Sequence, residues 1–308
     1  MFNLQKNVLG LNFFSSAKEK KRKNRKGKAF KKLITKKFVQ KIFGKGFATW
    51  PNVGQQLETS SAKRLINVKQ NTLLASWAIS KEEVKEAQKL RFLVFAEEMG
   101  AKLPNAELGL DVDEFDDYCD HLVIRDQNTL NVVGTYRVLP PHQAMAIGRL
   151  YSDTEFDLSR LDHLRPNIVE LGRSCVHADY RSGSVIMALW SGLAQYMTLH
   201  GYDIMLGCAS IPMADGGHYA ASLFQSLKSD QIAPLELHAF PKLPLPIEHL
   251  QNNLVVEAPP LIKGYLKLGA KICSAPAWDP DFNTADLLTI LRLSDMNPRY
   301  AKHFFKQP

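Results

Sequence analysis

The sequence predicts an α/β fold: a mixed sheet covered on both faces by helices and preceded by a basic N-terminal extension. Two observations lead there. From about residue 71, apolar runs of strand length alternate with stretches of helical period, and strands in runs with interspersed helices assemble into mixed sheets. Before that point the charge is lopsided. Residues 1–64 hold 17 of the 39 Lys and Arg but only Glu19 and Glu58 of the 31 Asp and Glu, so this stretch carries +15 and the remainder −7. The asymmetry marks an appended basic arm at 1–64 and a folded body at 71–308.

Within the arm, residues 18–28 are a nearly pure cationic run. Residues 30–43 mix Phe30, Leu33, Ile34, Phe38 and Ile42 with lysines on one broad helical face, into which Lys37 and Lys41 project. A solvated tail and a membrane-surface helix are equally good readings. Nucleic-acid binding is weaker, because no base-stacking aromatic or groove-reading motif accompanies the charge. In the body, residues 73–79 suit a strand. Ser80-Lys81-Glu82-Glu83 is a capping box that opens a helix to residue 99, closed by Gly100. An acidic loop at 107–120 leads to strands at 121–125 and 132–139, separated by Asp126-Gln127-Asn128 and stopped by Pro140-Pro141. A strand from Ile168, a helix at about 185–199, a strand at 204–208, a helix near 219–227, a strand at 235–239 and a proline-rich loop at 241–246 complete the order. No internal repeat is present, and no run approaches the roughly 18 uninterrupted apolar residues of a spanning helix. A signal peptide is not expected, since the charges follow Phe13-Phe14 rather than precede an apolar stretch. Cys119, Cys175, Cys208 and Cys273 lie far apart without Cys-x-x-Cys spacing, which fits free thiols in a reducing compartment.

The chemistry concentrates in Ile168-Val169-Glu170-Leu171-Gly172-Arg173-Ser174-Cys175-Val176 and the turn that follows. A strand running through a turn into a helix gathers backbone N–H groups at one spot and holds an anion there, which points to a phosphate-containing donor. Glu170 and Arg173 are three apart and would face opposite sides of an unbroken strand; Gly172 is where a bulge could turn both towards one cleft. Glu170 then supports deprotonation of an amine, while Arg173 holds a carboxylate or orders the acidic loop. Alternatively, one of the two is a buried charge paired with a neighbour such as Arg137. Cys175 lies in an apolar run with nothing to lower its pKa, so an acyl-enzyme is not expected. His177 at the strand end reads as a structural residue or a base. The acidic loop could be a solvated turn, and it carries no regular metal-ligand spacing.

Val176-x-x-x-Tyr180-Arg181-x-Gly183 before a helix resembles the pyrophosphate-loop segment of the GNAT N-acyltransferase superfamily. The longer string from Glu170 to Arg181 is similar to the ornithine N-acyltransferases that make lyso-ornithine lipids, relatives of the acyl-homoserine lactone synthases. Leu90-Arg91-Phe92-x-Val94-Phe95 resembles that family's first-helix Arg and Phe. Asp113-x-Phe115-Asp116-x-Tyr118-Cys119-Asp120-His121-Leu122 resembles its acidic loop, and Gly134-x-Tyr136-Arg137-Val138-Leu139 its strand arginine. Further similarity falls at Gly207 to Ile211, Pro259 to Leu266 and Phe282 to Asp286, whereas the arm matches nothing in the pattern. The resemblance implies a GNAT-like, mostly antiparallel sheet flanked by helices. It implies catalytic Glu170 and Arg173, substrate-binding Arg91, Phe95, Asp113, Asp116 and Arg137, and donor phosphopantetheine binding by Val176, His177, Tyr180, Arg181, Ser182 and Gly183, with no metal.

The loop Arg181-Ser182-Gly183-Ser184-Val185-Ile186 departs from the superfamily's usual Arg-x-x-Gly-x-Gly/Ala by a shifted glycine and by Ile186, which disfavours close approach of a coenzyme A pyrophosphate. Acyl-phosphopantetheine on acyl carrier protein, with its single phosphate, fits better, and Arg181, Lys263 and Lys267 are the basic positions for an acidic carrier. The expected reaction moves a 3-hydroxyacyl group from acyl carrier protein to the α-amine of ornithine, with no bound cofactor and no nucleic-acid partner. A groove between the Ile168 and Ile204 strands would take the chain, each buried methylene contributing ~0.8 kcal/mol. The expected location is cytoplasmic, at the inner face of the membrane, with the arm on anionic lipid. Competing readings are synthesis of another N-acyl amino acid or of acyl-homoserine lactone, and a membrane-binding module on an idle scaffold.

Overall fold

The computed structural model describes residues 73–304, so the basic arm and its amphipathic stretch lie outside the described residues. Among the described residues ten strands follow in chain order. They are β1 (Leu73–Trp77), β2 (Asp120–Asp126), β3 (Val132–Leu139), β4 (Phe156–Asp157), β5 (Ile168–Val176), β6 (Ile204–Pro212), β7 (Phe240–Pro241), β8 (Lys271–Ile272), β9 (Ala277–Asp279) and β10 (Thr284–Arg292). One sheet runs β1-β2-β3-β5-β6-β10-β8 with β9 also on β10, while β4 and β7 pair separately. Every pairing is antiparallel except β5 with β6. The sheet is therefore mixed and mostly antiparallel.

Helices α1 (Lys81–Phe92) and α3 (Ser184–His200) cover opposite faces. A methyl group on Gly134 would meet Val185 Cγ1 of α3 at 2.3 Å, whereas Arg137, of opposite parity on β3, reaches residues packed beside α1. Helix α1 begins at the expected cap, Ser80 Oγ accepting from Glu83 N at 3.3 Å, but the Glu83 carboxylate accepts from Ile79 N at 2.8 Å rather than from Ser80 N, so only half of the capping box forms. It does not continue as an α-helix to residue 99. Residues Leu93–Glu98 form a π-helical turn, with Met99 N donating to Val94 O at 3.1 Å. Pro140 ends β3 as expected, and the next proline opens α2 (Pro141–Ile147) from a first-turn position that lacks only a superfluous donor.

The expected strand at 235–239 is absent. Pro234 pre-sets a 3-10 turn, Leu235–Leu237, with Leu237 N bonded to Pro234 O at 2.9 Å. The strand pairing falls instead on Phe240–Pro241, where the segment read as loop begins. Leu150, Phe156, Leu158 and Leu161 are buried with Leu139, Ile168 and Leu288, and this cluster backs the start of β5.

Candidate active site

The site begins where β5 and β6 part. Their parallel ladder has only three pairs, Ile168 with Ile204, Val169 with Met205 and Glu170 with Leu206. At the vertex a Cβ on Gly207 would lie 2.2 Å from Leu171 O, so this approach admits only glycine. Beyond it, β5 stays with β3 and β6 with β10, and a cavity of about 980 Å³ is lined by both strands and by the helix Pro260–Leu268. An apolar pocket of about 80 Å³ adjoins it, sharing Tyr136, Leu171, Cys208, Ala209 and Tyr265. The hydroxyls of Tyr136 and Tyr265 meet there at 2.6 Å, a polar pair among Trp190, Leu193 and Leu206.

A bulge interrupts the β3–β5 ladder, which pairs Arg137 with Gly172 but Thr135 with Cys175. Arg173 takes up the extra residue at φ +49°, a left-handed conformation uncommon outside glycine. The sequence signal at Gly172 thus marks the right place, although Arg173 carries the turn. His177 N is bonded to Val133 O at 3.0 Å, so by strand alternation the N–H of Val176 faces the side from which β6 has departed.

The acidic loop is not a solvated turn, since Asp111 and Asp116 are buried. Three arginines from three elements converge on it. Arg91, wholly enclosed, makes a two-pronged contact with Asp116 at 2.7 and 2.9 Å and reaches Asp111 Oδ2 at 2.7 Å. Arg137 Nη1 bonds Asp113 at 2.5 Å and Asp116 at 3.2 Å. Arg173 lies 3.2 Å from both Asp111 and Asp113. Burial opposes ionisation of Asp116, but Arg91 outweighs it and holds the carboxyl well below its usual range. Arg173 is also sandwiched between the rings of Tyr151 and Phe282, at 4.9 and 4.6 Å, and Phe282 meets Phe95 edge-on at 5.8 Å.

Glu170 is buried on the cavity wall and pairs directly with no arginine. Oε1 accepts from Ser152 N at 2.7 Å and Ser152 Oγ at 2.6 Å, and Oε2 from Tyr151 N at 2.5 Å. Burial raises its pKa, with these donors pulling the other way. Oε2 accepts a single bond and retains room for another donor. Ser152 Oγ lies 3.4 Å from Cys208 Sγ, beyond which stand Glu155 and Asp286. Burial pushes both of those carboxyls above the usual range, Glu155 further through the charges of Asp286 and Asp279. A raised folded-state pKa means that the folded chain holds more protons than the unfolded chain above about pH 4, so these groups make stability fall as pH rises. Urea unfolding between pH 5 and 9 should show that decline, and Glu155→Gln should flatten it; parallel curves for parent and variant would contradict the assignment.

At the other end of β5, Arg181 Nε donates to Val176 O at 3.0 Å and its Nη2 to Glu98 of the π-helical turn at 2.6 Å. Gly183, at φ +91°, precedes α3, whose first N–H groups have no partner within the helix. Lys263 pairs with Glu257 at 3.1 Å, so Arg181 and Lys263, both expected to meet an acidic carrier, already have acidic partners. Burial keeps the Cys175 thiol protonated by raising its pKa, and raises Cys119 to about 12.

Of the residues singled out from sequence, Phe95, Arg137, Glu170, Arg173, Val176, Tyr180, Arg181 and Gly183 line the cavity. Arg91, Asp113, Asp116, His177 and Ser182 do not. Arg91 and Asp116 are buried in the ion network, Asp113 braces Arg137 and Arg173, and His177 Nδ1 accepts from Asp179 N at 3.3 Å to cap the turn. Sequence reasoning passed over Asp111, which sits in the acidic loop it had marked. It also passed over Tyr151 and Glu155, and it marked Phe282 to Asp286 only as a stretch of family resemblance, without a role for Phe282 or Asp286.

A family model described as the acetyltransferase (GNAT) domain matches residues 90–191. An L-ornithine N(alpha)-acyltransferase of Agrobacterium fabrum is 36% identical over 249 residues, 76% of this chain and 85% of that protein. One of Brucella abortus, of the same name, is 35% identical over 266 residues, 81% of this chain and 95% of the relative. Among solved structures, the coenzyme A-dependent acyl-homoserine lactone synthase BjaI aligns at 16% identity and a TM-score of 0.43, over 76% of this chain and 87% of its own.

Proposed function

The chain belongs to the L-ornithine N(alpha)-acyltransferase family, and on that premise we propose that it moves a 3-hydroxyacyl group from acyl carrier protein to the α-amine of ornithine. The observation that carries this reading is the cavity between the parted strands, which joins three kinds of surface. Gly183 and the start of α3 offer backbone donors to the phosphate of a phosphopantetheine arm. The apolar pocket takes acyl methylenes, and the Tyr136–Tyr265 hydroxyl pair gives a 3-hydroxyl a partner. Buried carboxylates stand on the wall where an amine would enter.

In this mechanism Glu170 Oε2 takes a proton from the acceptor's ammonium, and the free amine attacks the thioester carbon. The developing oxyanion is stabilised by the Val176 N–H, the carbon–sulfur bond breaks, and the departing thiolate takes up the proton that the attacking nitrogen sheds as the amide forms, leaving as thiol while Glu170 keeps the first proton until it is returned to solvent. The ion network holds Arg173, Arg137 and the Tyr151 turn in place around the reacting groups. No nucleophilic side chain is needed, in keeping with a Cys175 thiol that stays protonated.

Purified full-length chain with ornithine should give N-acylornithine, identified by mass spectrometry, and should prefer the acyl-carrier donor over the same acyl group on coenzyme A by roughly tenfold in kcat/KM, about 1.4 kcal/mol. Comparable values for the two donors would remove the carrier-protein reading. The product is an amphiphile, and the +15 arm supports delivery at an anionic bilayer surface; among the described residues no helix is long and apolar enough to cross a membrane. Removing residues 1–64 should leave turnover of a soluble carrier substrate within a few fold while weakening salt-sensitive binding to anionic vesicles. Undiminished vesicle binding would count against the arm's role.

A further inference from the structure

At the cavity end of the β6–β10 ladder, Cys208 and Ser210 of β6 and Thr284 and Asp286 of β10 line the wall. Glu155 stands behind them, one of its carboxylate oxygens, the Cys208 Sγ and one carboxylate oxygen of Asp286 all lying within 4.8 Å of one another. Asp286 is only 4% exposed and Thr284 1%. Asp286 Oδ1, both oxygens of Glu155 and Thr284 Oγ1 make no well-formed hydrogen bond among the described residues, although the Thr284 and Ser210 hydroxyls stand close enough to Asp286 to favour its ionised form. Neither carboxylate forms an ion pair with a lysine, arginine or histidine there. Asp279 adds a third carboxylate at the cavity wall.

This arrangement is costly unless something answers it, because buried carboxylates without donors destabilise a fold. The three arginines of the neighbouring network do not answer it, since all three are turned to Asp111, Asp113 and Asp116. By itself the pair can share one proton between two carboxyls, which leaves it one unit negative and open to a cation.

We propose that Glu155 and Asp286, with Thr284 beside them, form a subsite for a second ammonium group on the acceptor, so that a basic amino acid is selected over its neutral isostere. An alkylammonium brings three N–H donors in a tetrahedral spread, and two carboxylates with a hydroxyl supply three acceptors. The Ser152–Cys208 bridge separates this subsite from Glu170, as two amines at opposite ends of one acceptor require. A metal ion is less well served, because the third ligand atom would be a thiol that burial keeps protonated.

The inference rests on the cavity being the acceptor site, and the test separates the two. Full-length parent, Asp286→Asn and Glu155→Gln are assayed with ornithine and with norvaline, which has the same carbon chain without the terminal amine. The ornithine-to-norvaline ratio of kcat/KM should fall by roughly 100-fold in either variant, as removal of one member of a buried charge pair implies. Both variants should melt at or above the parental temperature, since each removes a poorly satisfied carboxylate. An unchanged ratio in a folded variant overturns the subsite while leaving ornithine acylation in place. Should a variant not fold, thermal shifts of the parent decide: ornithine must stabilise it more than norvaline at equal concentration, and equal shifts overturn the proposal. A parent that acylates another basic amine but not ornithine ends the ornithine reading, and the same ratio is then taken with that amine and its neutral isostere. Stoichiometric metal in the purified parent, lost in Asp286→Asn, also overturns the ammonium assignment.

Discussion

Replacing Arg91 with methionine should lower the free energy of unfolding by roughly 3–5 kcal/mol, the cost of breaking a buried ion pair by removing one partner. Arg91 is fully enclosed, and its guanidinium satisfies Asp116 with two bonds and Asp111 with two more. Methionine has similar bulk, so the loss is of charge and donors rather than of volume. Asp111 and Asp116 would then face burial with Arg137 and Arg173 alone. Acid unfolding carries a second signature. Asp116 is ionised far below its unfolded pKa, so its stabilisation is complete above the unfolded value near 4 and is lost as pH falls towards the folded one. In the Arg91→Met protein that protection shrinks, and the acid limb of the stability curve should move to higher pH. Adding Asp116→Asn to the variant should recover part of the loss, because the uncompensated charge is removed with its partner. Urea denaturation of the parent, single and double variants measures this; an unchanged midpoint for Arg91→Met would show that the network is not what holds the acidic loop.

Glu170→Gln should lower kcat by ~10² or more with KM for ornithine changed by only a few fold, if Glu170 removes the amine proton. Because burial raises the Glu170 pKa, the parent's kcat/KM should fall on the acid side at a pH above the ordinary carboxylate range. That limb should vanish in the variant. The structure adds a complication that a simple isostere argument omits: all of the hydrogen-bond partners of Glu170 are donors, from Tyr151 and Ser152, and a glutamine amide would present its own N–H groups to one of them. A melting temperature therefore accompanies the kinetics. A stable Glu170→Gln protein with unchanged kcat would leave Glu170 as the anchor of the Tyr151 turn and nothing more.

What the chain discloses in advance follows the range of the interactions concerned. The start of α1 is written in four consecutive residues, Ser80 to Glu83, and the structure has the Ser80 cap. The bulge was signalled by Gly172, a glycine in a strand with charges on either side. The π-helical turn at Leu93–Glu98 was not legible, because a helical hydrophobic period does not distinguish a 3.6-residue turn from a slightly wider one. Residues 235–239 alternate well enough to pass for a strand, yet Leu235 is 72% exposed and Pro234 had already committed the backbone to a turn. The acidic loop was visible as a cluster, but not its three arginine partners as one network, since Arg91, Arg137 and Arg173 come from three separate elements. The meeting of Glu155 with Asp286 was not legible for the same reason carried further. Asp286 falls in a stretch marked only by family resemblance and Glu155 in no motif, and only the fold brings these distant positions together.

The ladder lengths around the cavity also set what can give and what cannot. β5 and β6 are joined by three residue pairs, β6 and β10 by nine. Mechanically the sheet is two plates fastened at one short seam. Spreading the plates breaks few bonds, so the width available to an acyl chain is a compliant dimension that can adapt to bulk and length. Ser210 and Asp286 face one another within the long ladder, so the carboxylate wall is stiff and keeps its spacing as the gap opens. An enzyme so fastened is tolerant of its tail and exacting about its head.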